Sequence, residues 1–161
     1  MSEHAATIRW QRDGQQFSSN HYSRGHTWEF DGGTIVSASA SPHIVPLPMS
    51  IAENVDPEEA FVAALSSCHM LVFLSIAAKR GYVVDEYLDE ASGLMGEDEQ
   101  GRMAITNVTL RPATIYSGDK RPTREQVEKM HHQSHKLCFI ANSVKTVVET
   151  EVQEVGQAQL K

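Results

Sequence analysis

Asp56-Pro-Glu-Glu-Ala-Phe-Val-Ala-Ala-Leu-Ser-Ser-Cys68-His-Met-Leu-Val-Phe-Leu-Ser-Ile-Ala-Ala-Lys-Arg-Gly81 decides the fold. Asp56 can cap a helix, Pro57 suits its first turn, and Glu58 and Glu59 suit the positive end of the dipole. Gly81 is a stop signal, so the spacing predicts a helix over 57–80. Its residues are apolar on every side, which asks for burial at the centre of a protein or between two subunits. The run approaches the length of a bilayer span, but Ser66, Ser67, His69 and Ser75 interrupt it and charges close both ends. We therefore expect no membrane.

Outward from this helix, residues 5–12 read as a short strand. His26 to Asp31 alternates, with Trp28 and Phe30 on one side, and Asp31-Gly-Gly33 turns it into a returning strand over Thr34 to Ser41. Three prolines between Ser41 and Pro48 make an irregular connector. After the helix, Tyr82 to Met95 reads as a strand, and a turn at Gly96–Gly101 pairs it with Met103 to Tyr116 as a long hairpin. Thr123 caps a second helix with Gln126 as its capping-box partner. That helix reaches about Leu137, with Val127, Met130 and Leu137 inward. A short helix over Phe139–Val144 and a strand from Lys145 to Val155 complete the chain. The order β-β-β-α-β-β-α-α-β argues for an α+β class, a mainly antiparallel sheet on a long buried central helix. We expect a single domain over 1–161, with an N-terminal hairpin and connector (1–50), the helix (57–80) and a second αβ part (82–161).

The charge of −7, from 14 basic and 21 acidic side chains, excludes a nucleic-acid binder, which needs a basic face. Met1-Ser-Glu-His has no basic start and no apolar core, so the expected compartment is the cytoplasm, where thiols stay reduced. The two cysteines, Cys68 and Cys138, then pose a redox or metal question more than a stability question. Both can also be read as inert buried thiols. His131, His135 and Cys138 fall at i, i+4 and i+7, a spacing that can ligate zinc, with His21, His26 and His69 as additional donors. The local set is incomplete, so we expect a solvated histidine face, no metal and no cofactor.

Three segments in order resemble the OsmC/Ohr family of thiol-dependent hydroperoxide reductases, over about Tyr22 to Val155. Asp56-Pro-Glu58 through Cys68 resembles the family's Asn-Pro-Glu…Ala-Cys segment. Tyr22-Ser-Arg24-Gly-His-Thr-Trp-Glu-Phe-Asp-Gly-Gly33 resembles the hairpin carrying its active-site arginine, and Ser134-His-Lys-Leu-Cys138 resembles the segment of its second cysteine. Phe139, Ile140 and Ala141 follow Cys138 where typical members carry Pro and then Ser, which marks a divergent subgroup.

The resemblance implies an OsmC-like fold and a peroxidase in oxidative-stress defence. Cys68 would attack an organic hydroperoxide, Cys138 would resolve the sulfenic acid, and a dithiol of lipoyl type would restore the thiols. Arg24 would hold the thiolate and Glu58 would orient Arg24. Phe61, Leu65, Phe139 and Ile140 would suit an organic substrate, or simply fill the core. Ten residues of straight helix rise roughly 15 Å, so Glu58 and Cys68 of one helix cannot touch. Either the helix breaks or the acid comes from another subunit. The all-round apolar helix favours the second, a homodimer, as the resemblance also implies. The other function class is a small-ligand binding protein that keeps this fold without peroxidase turnover.

Overall fold

The structure is a computed structural model and describes residues 1–154; the part of the expected last strand at Val155 lies outside them. The chain divides into two compact units, Met1–Ala60 and the remainder from Phe61.

In the first unit, β1 (Ala6–Arg9), β2 (His26–Phe30) and β3 (Ile35–Ala38) form the expected antiparallel meander, in the order β1-β2-β3. Trp28 faces both Ile8 and Val36 across the strands. The β2–β3 turn closes with the Phe30 amide on Thr34 O (3.0 Å), and Gly33 sits at φ 85°, which a side chain would oppose. The proline-rich connector is a string of turns.

The first helix, α1 (Pro57–Lys79), has reciprocal caps. The Glu59 amide donates to Asp56 Oδ1 (2.7 Å) and the Asp56 amide to Glu59 Oε2 (3.2 Å). At its end the Gly81 amide bonds Ala78 O and the Tyr82 amide bonds Ala77 O, a Schellman closure with Gly81 at φ 77°. Lys120 Nζ caps the Arg80 carbonyl.

The second unit holds the long hairpin, broken once in each arm. Its outer half pairs β4 (Val83–Asp89) with β7 (Pro112–Ser117), and its inner half pairs β5 (Ser92–Glu97) with β6 (Met103–Leu110). The two expected strands are thus four. The break has a cause. The Arg111 amide leaves the ladder for Asp89 Oδ1 (2.6 Å), while its guanidinium holds Glu90 O (3.3 Å) and Ser92 Oγ (2.9 Å). The second helix, α2 (Arg124–Leu137), starts with the expected capping box between Thr123 and Gln126. A single 3-10 turn, Ala141–Ser143, stands where a short helix is expected. The last strand, β8 (Val147–Thr150), pairs parallel to β6, from Asn107–Val147 to Leu110–Thr150. The other strand pairs are antiparallel, as expected of a mainly antiparallel sheet; β8 is parallel because the chain leaves β7 through α2, and a helical crossover returns a strand in the same direction.

The core of this unit has two clusters. Phe73, Ile76, Ala77 and Tyr82 meet Val127 and Met130 of α2, while Leu65 meets Val108 and Leu110. Burying a side chain such as Phe73 contributes about 1.5–3 kcal/mol. The central helix is buried along one stripe only: Leu65, His69, Phe73, Ile76 and Ala77. Ala63, Ala64, Ser67, Leu71 and Ser75 are exposed, so of the two settings the apolar helix asks for, the centre of the protein accounts for one face only. α1 has the length and mean hydropathy (2.0) of a membrane span, yet that stripe packs into the protein core. Leu137 is exposed rather than inward, because the buried face of α2 is Val127, Met130, His131 and Ser134.

Candidate functional site

Cys68 lies half-buried in the middle of α1, and Cys138 is 1% exposed at the C-cap of α2. Both are free thiols. The two thiols are neighbours: burial pushes the Cys138 thiol up from its ordinary value, and the adjacent Cys68 thiol pushes it the same way. The Ala141 amide donates to Cys138 Sγ (3.4 Å) and opposes that rise. The 3-10 turn after Cys138 supplies this amide, so the divergent residues there still cradle the sulfur.

Arg24 is not a free strand-edge side chain. Its guanidinium donates through Nη1 to Tyr22 O (2.5 Å) and Asn20 O (3.1 Å), and through Nη2 to Asn20 Oδ1 (2.7 Å). It also lies 3.7 Å over the Tyr22 ring. Tyr22 in turn stacks on Phe17 and meets Trp10 edge-on. Among the described residues no ion pair joins Arg24 to Glu58. Glu58 sits in the first turn of α1, and its Oε2 is buried with no hydrogen-bond partner among the described residues.

Of the expected substrate walls, Leu65 and Phe61 belong to the core beside Val108 and Leu110. Phe139 is 78% exposed and Ile140 is also exposed, so neither encloses anything within the chain.

The histidines depart furthest from expectation. His131 is 2% exposed, not solvated, and its Nδ1 lies 2.9 Å from Nε2 of the equally buried His69. The His131 ring stacks on Phe73, centroids 4.2 Å apart. Burial is the main cause that pulls both pKa values down, to about 4 for His69 and about 3 for His131, so both rings are neutral. Asp89 works against that on His69. Asp89 also accepts from Ser66 Oγ (2.5 Å), and burial, with Asp89 second, raises the Tyr87 hydroxyl well above its usual value. The sequence carried a signal for this pair. A histidine inside an apolar helix needs a partner, and His131 shares the Val127–Met130–Ser134 stripe. Among the described residues no three His, Cys, Asp or Glu side chains converge on one metal position.

The model of the OsmC family, OsmC-like protein, matches residues 52–153, a span that holds Glu58, Cys68 and Cys138 but not Arg24. The chain is similar to an OsmC-like protein of unknown function from Vibrio cholerae. That structure is 60% identical with a TM-score of 0.94, over 95% of this chain and 100% of that one. It is also similar in fold to an OsmC-like protein from Mycoplasma pneumoniae, at 13% identity and a TM-score of 0.72, over 96% and 99% of the two chains. An organic hydroperoxide resistance protein from Elizabethkingia anophelis gives 16% identity and a TM-score of 0.69, over 98% of each chain. No curated protein matches the chain. The family match over most of the sequence, with the fold and the thiol pair it encloses, makes the chain a member of the OsmC/Ohr family of OsmC-like proteins.

Proposed function

We propose that the protein is a thiol-dependent peroxidase that reduces organic hydroperoxides in oxidative-stress defence. The observation that carries this reading is the approach of the Cys138 thiol to the Cys68 thiol, both free. The Cys68 thiolate attacks the outer peroxide oxygen, the O–O bond breaks, and the alcohol leaves with a proton. The resulting sulfenic acid condenses with the Cys138 thiol, forming a disulfide and releasing water. A dithiol, of lipoyl type by analogy with the family, exchanges with that disulfide and returns two thiols. Cys138 is suited to the resolving step: a buried thiol held protonated is a poor first nucleophile, and it meets Cys68 only at short range.

Arg24 supplies the cation and Glu58 its orienting carboxylate. α1 runs unbroken from Pro57 to Lys79, so Glu58 and Cys68 of one chain stand roughly 15 Å apart along it. The reading therefore has the acid reach the thiol from the second subunit of a homodimer. The exposed Leu71 side of α1 and the unpartnered buried Oε2 of Glu58 support that arrangement. The cytoplasm is the compartment proposed, since it keeps such thiols reduced.

One observation favours the alternative of a ligand-binding protein: Arg24 is already engaged by Asn20 and Tyr22. Consumption of cumene hydroperoxide with a dihydrolipoyl-type dithiol separates the two. The peroxidase reading expects turnover that Cys68→Ser abolishes; a binder shows no turnover in either protein.

A further inference from the structure

In the peroxidase reading, on which this step rests, each turnover ends in a Cys68–Cys138 disulfide that a dithiol must open. A thiolate can enter such a bond at either sulfur. The choice depends on which sulfur it can reach and on how well the other one leaves. Reach favours Cys68, which is half-buried in α1 beside the exposed Ser67 and one turn from the exposed Ala64 and Leu71. Cys138 is 1% exposed, and the Ala141 amide of the 3-10 turn stands 3.4 Å from its sulfur. An attacking sulfur approaches along the S–S axis from behind its target, and Cys138 offers it no open side. The opening that admits a hydroperoxide to Cys68 also admits a slim dithiol, so one mouth serves both half-reactions.

The leaving step is the harder part of this order. Cys138 closes α2, where the helix carbonyls disfavour an anion, and burial raises its thiol. The turn that follows opposes both effects. The Ala141 amide donates to the Cys138 sulfur, and the Ile140 amide lowers the thiol in the same way. We propose that the reducing dithiol attacks Cys68 Sγ, and that Cys138 leaves as a thiolate received by the backbone amides of Ile140 and Ala141. The first thiolate bonds to Cys68 Sγ, the S–S bond breaks, and Cys138 takes the electron pair and then a proton. The second thiolate of the dithiol attacks its own bound sulfur, closes the oxidised ring and releases Cys68 as a thiolate. Two electrons pass to the protein, and Cys68 is ready for the next hydroperoxide.

The test oxidises the reduced full-length protein with diamide, so that the disulfide does not depend on peroxidase turnover. The oxidised protein is mixed with 2-mercaptoethanol, a monothiol that cannot close a ring. It is quenched at early times with N-ethylmaleimide in denaturant and mapped by peptide mass. Expected is the mercaptoethanol adduct on Cys68 with maleimide on Cys138, in roughly tenfold or greater excess over the reverse. Equal yields, an excess on Cys138, or no adduct on Cys68 overturns the proposal. A crosslink that diamide forms and cumene hydroperoxide does not would sink the peroxidase reading and leave the order of attack as measured. Ala141→Pro removes one of the two amides at the first position of the turn, where proline fits. In a Cys68→Ser background this variant should move the pH midpoint of Cys138 thiolate absorbance upward. An unmoved or lowered midpoint, with circular dichroism unchanged, overturns the role of the amides.

Discussion

His69 Nε2 lies 2.9 Å from His131 Nδ1, and this contact ties the middle of α1 to the middle of α2. The two rings lie within 10° of parallel, edge to edge across this contact with centroids 5.2 Å apart, and Phe73 stacks on His131 with centroids 4.2 Å apart. The pair is held neutral by burial, with pKa values of about 4 and about 3. In the unfolded chain both return to about 6.5. The unfolded state therefore binds more protons below that pH. The stability linked to the pair is present above about pH 6.5 and is lost as pH falls toward the folded values. Each histidine contributes a slope of up to about 1.4 kcal/mol per pH unit. Urea midpoints should fall between about pH 7 and about pH 5, and His131→Phe should flatten the fall. An unchanged midpoint across that window would contradict the neutral pair.

Phe73 is fully buried and joins His131 and Tyr87 to the Ile76–Val127–Met130 cluster. Phe73→Ala leaves a cavity there and should cost about 3–5 kcal/mol in denaturant unfolding. A loss under about 1 kcal/mol would mean that this cluster is not the centre of the unit.

Gly93 and Gly96 of β5 separate packing from propensity. A Cβ on Gly93 would lie 2.7 Å from Val62 Cγ2 and 3.3 Å from Ile105 Cγ2. A Cβ on Gly96 would lie 3.4 Å from Thr106 Oγ1. Gly93→Ala should destabilise by about 1–3 kcal/mol through overpacking against α1. Gly96→Ala should be neutral or gain about 0.4–1 kcal/mol from the restricted unfolded chain. Equal losses at both sites would refute the close approach at Gly93.

The Thr123 hydroxyl accepts from the Gln126 amide (3.2 Å), while Gln126 Oε1 accepts from the Thr123 amide (2.8 Å). Thr123→Ala should cost about 1 kcal/mol, seen as a lowered melting temperature. Thr123→Asn should keep most of it.

Cys68 is half-buried, whereas Cys138 is 1% exposed with its thiol raised by burial. In the native protein iodoacetamide should label Cys68 well before Cys138, and denaturant should remove the difference. Faster labelling of Cys138 would reverse the roles assigned to the two thiols.

Much of this molecule was legible in its sequence, for identifiable reasons. The caps at Asp56 and Thr123 and the stop at Gly81 depend on local chemistry, and each forms as read. The meander followed from alternation and Asp31-Gly-Gly33. The break at Arg111 was hidden, because it depends on a carboxylate at Asp89 that only the pairing brings near. The parallel β8 was hidden because alternation carries no strand direction. At the site, both cysteines were visible as residues, but their approach depends on how α1 and the end of α2 pack. The burial of His131 was missed by reading the histidine-rich helix as solvated, although its spacing from Val127 and Ser134 puts it on the inward stripe.

The central claim is a two-cysteine redox centre, and counting thiols tests it most directly. The reduced protein is treated with a slight excess of cumene hydroperoxide, titrated for free thiols and mapped by peptide mass. The expected result is loss of both thiols with a Cys68–Cys138 crosslink. Two thiols that survive unchanged would contradict it.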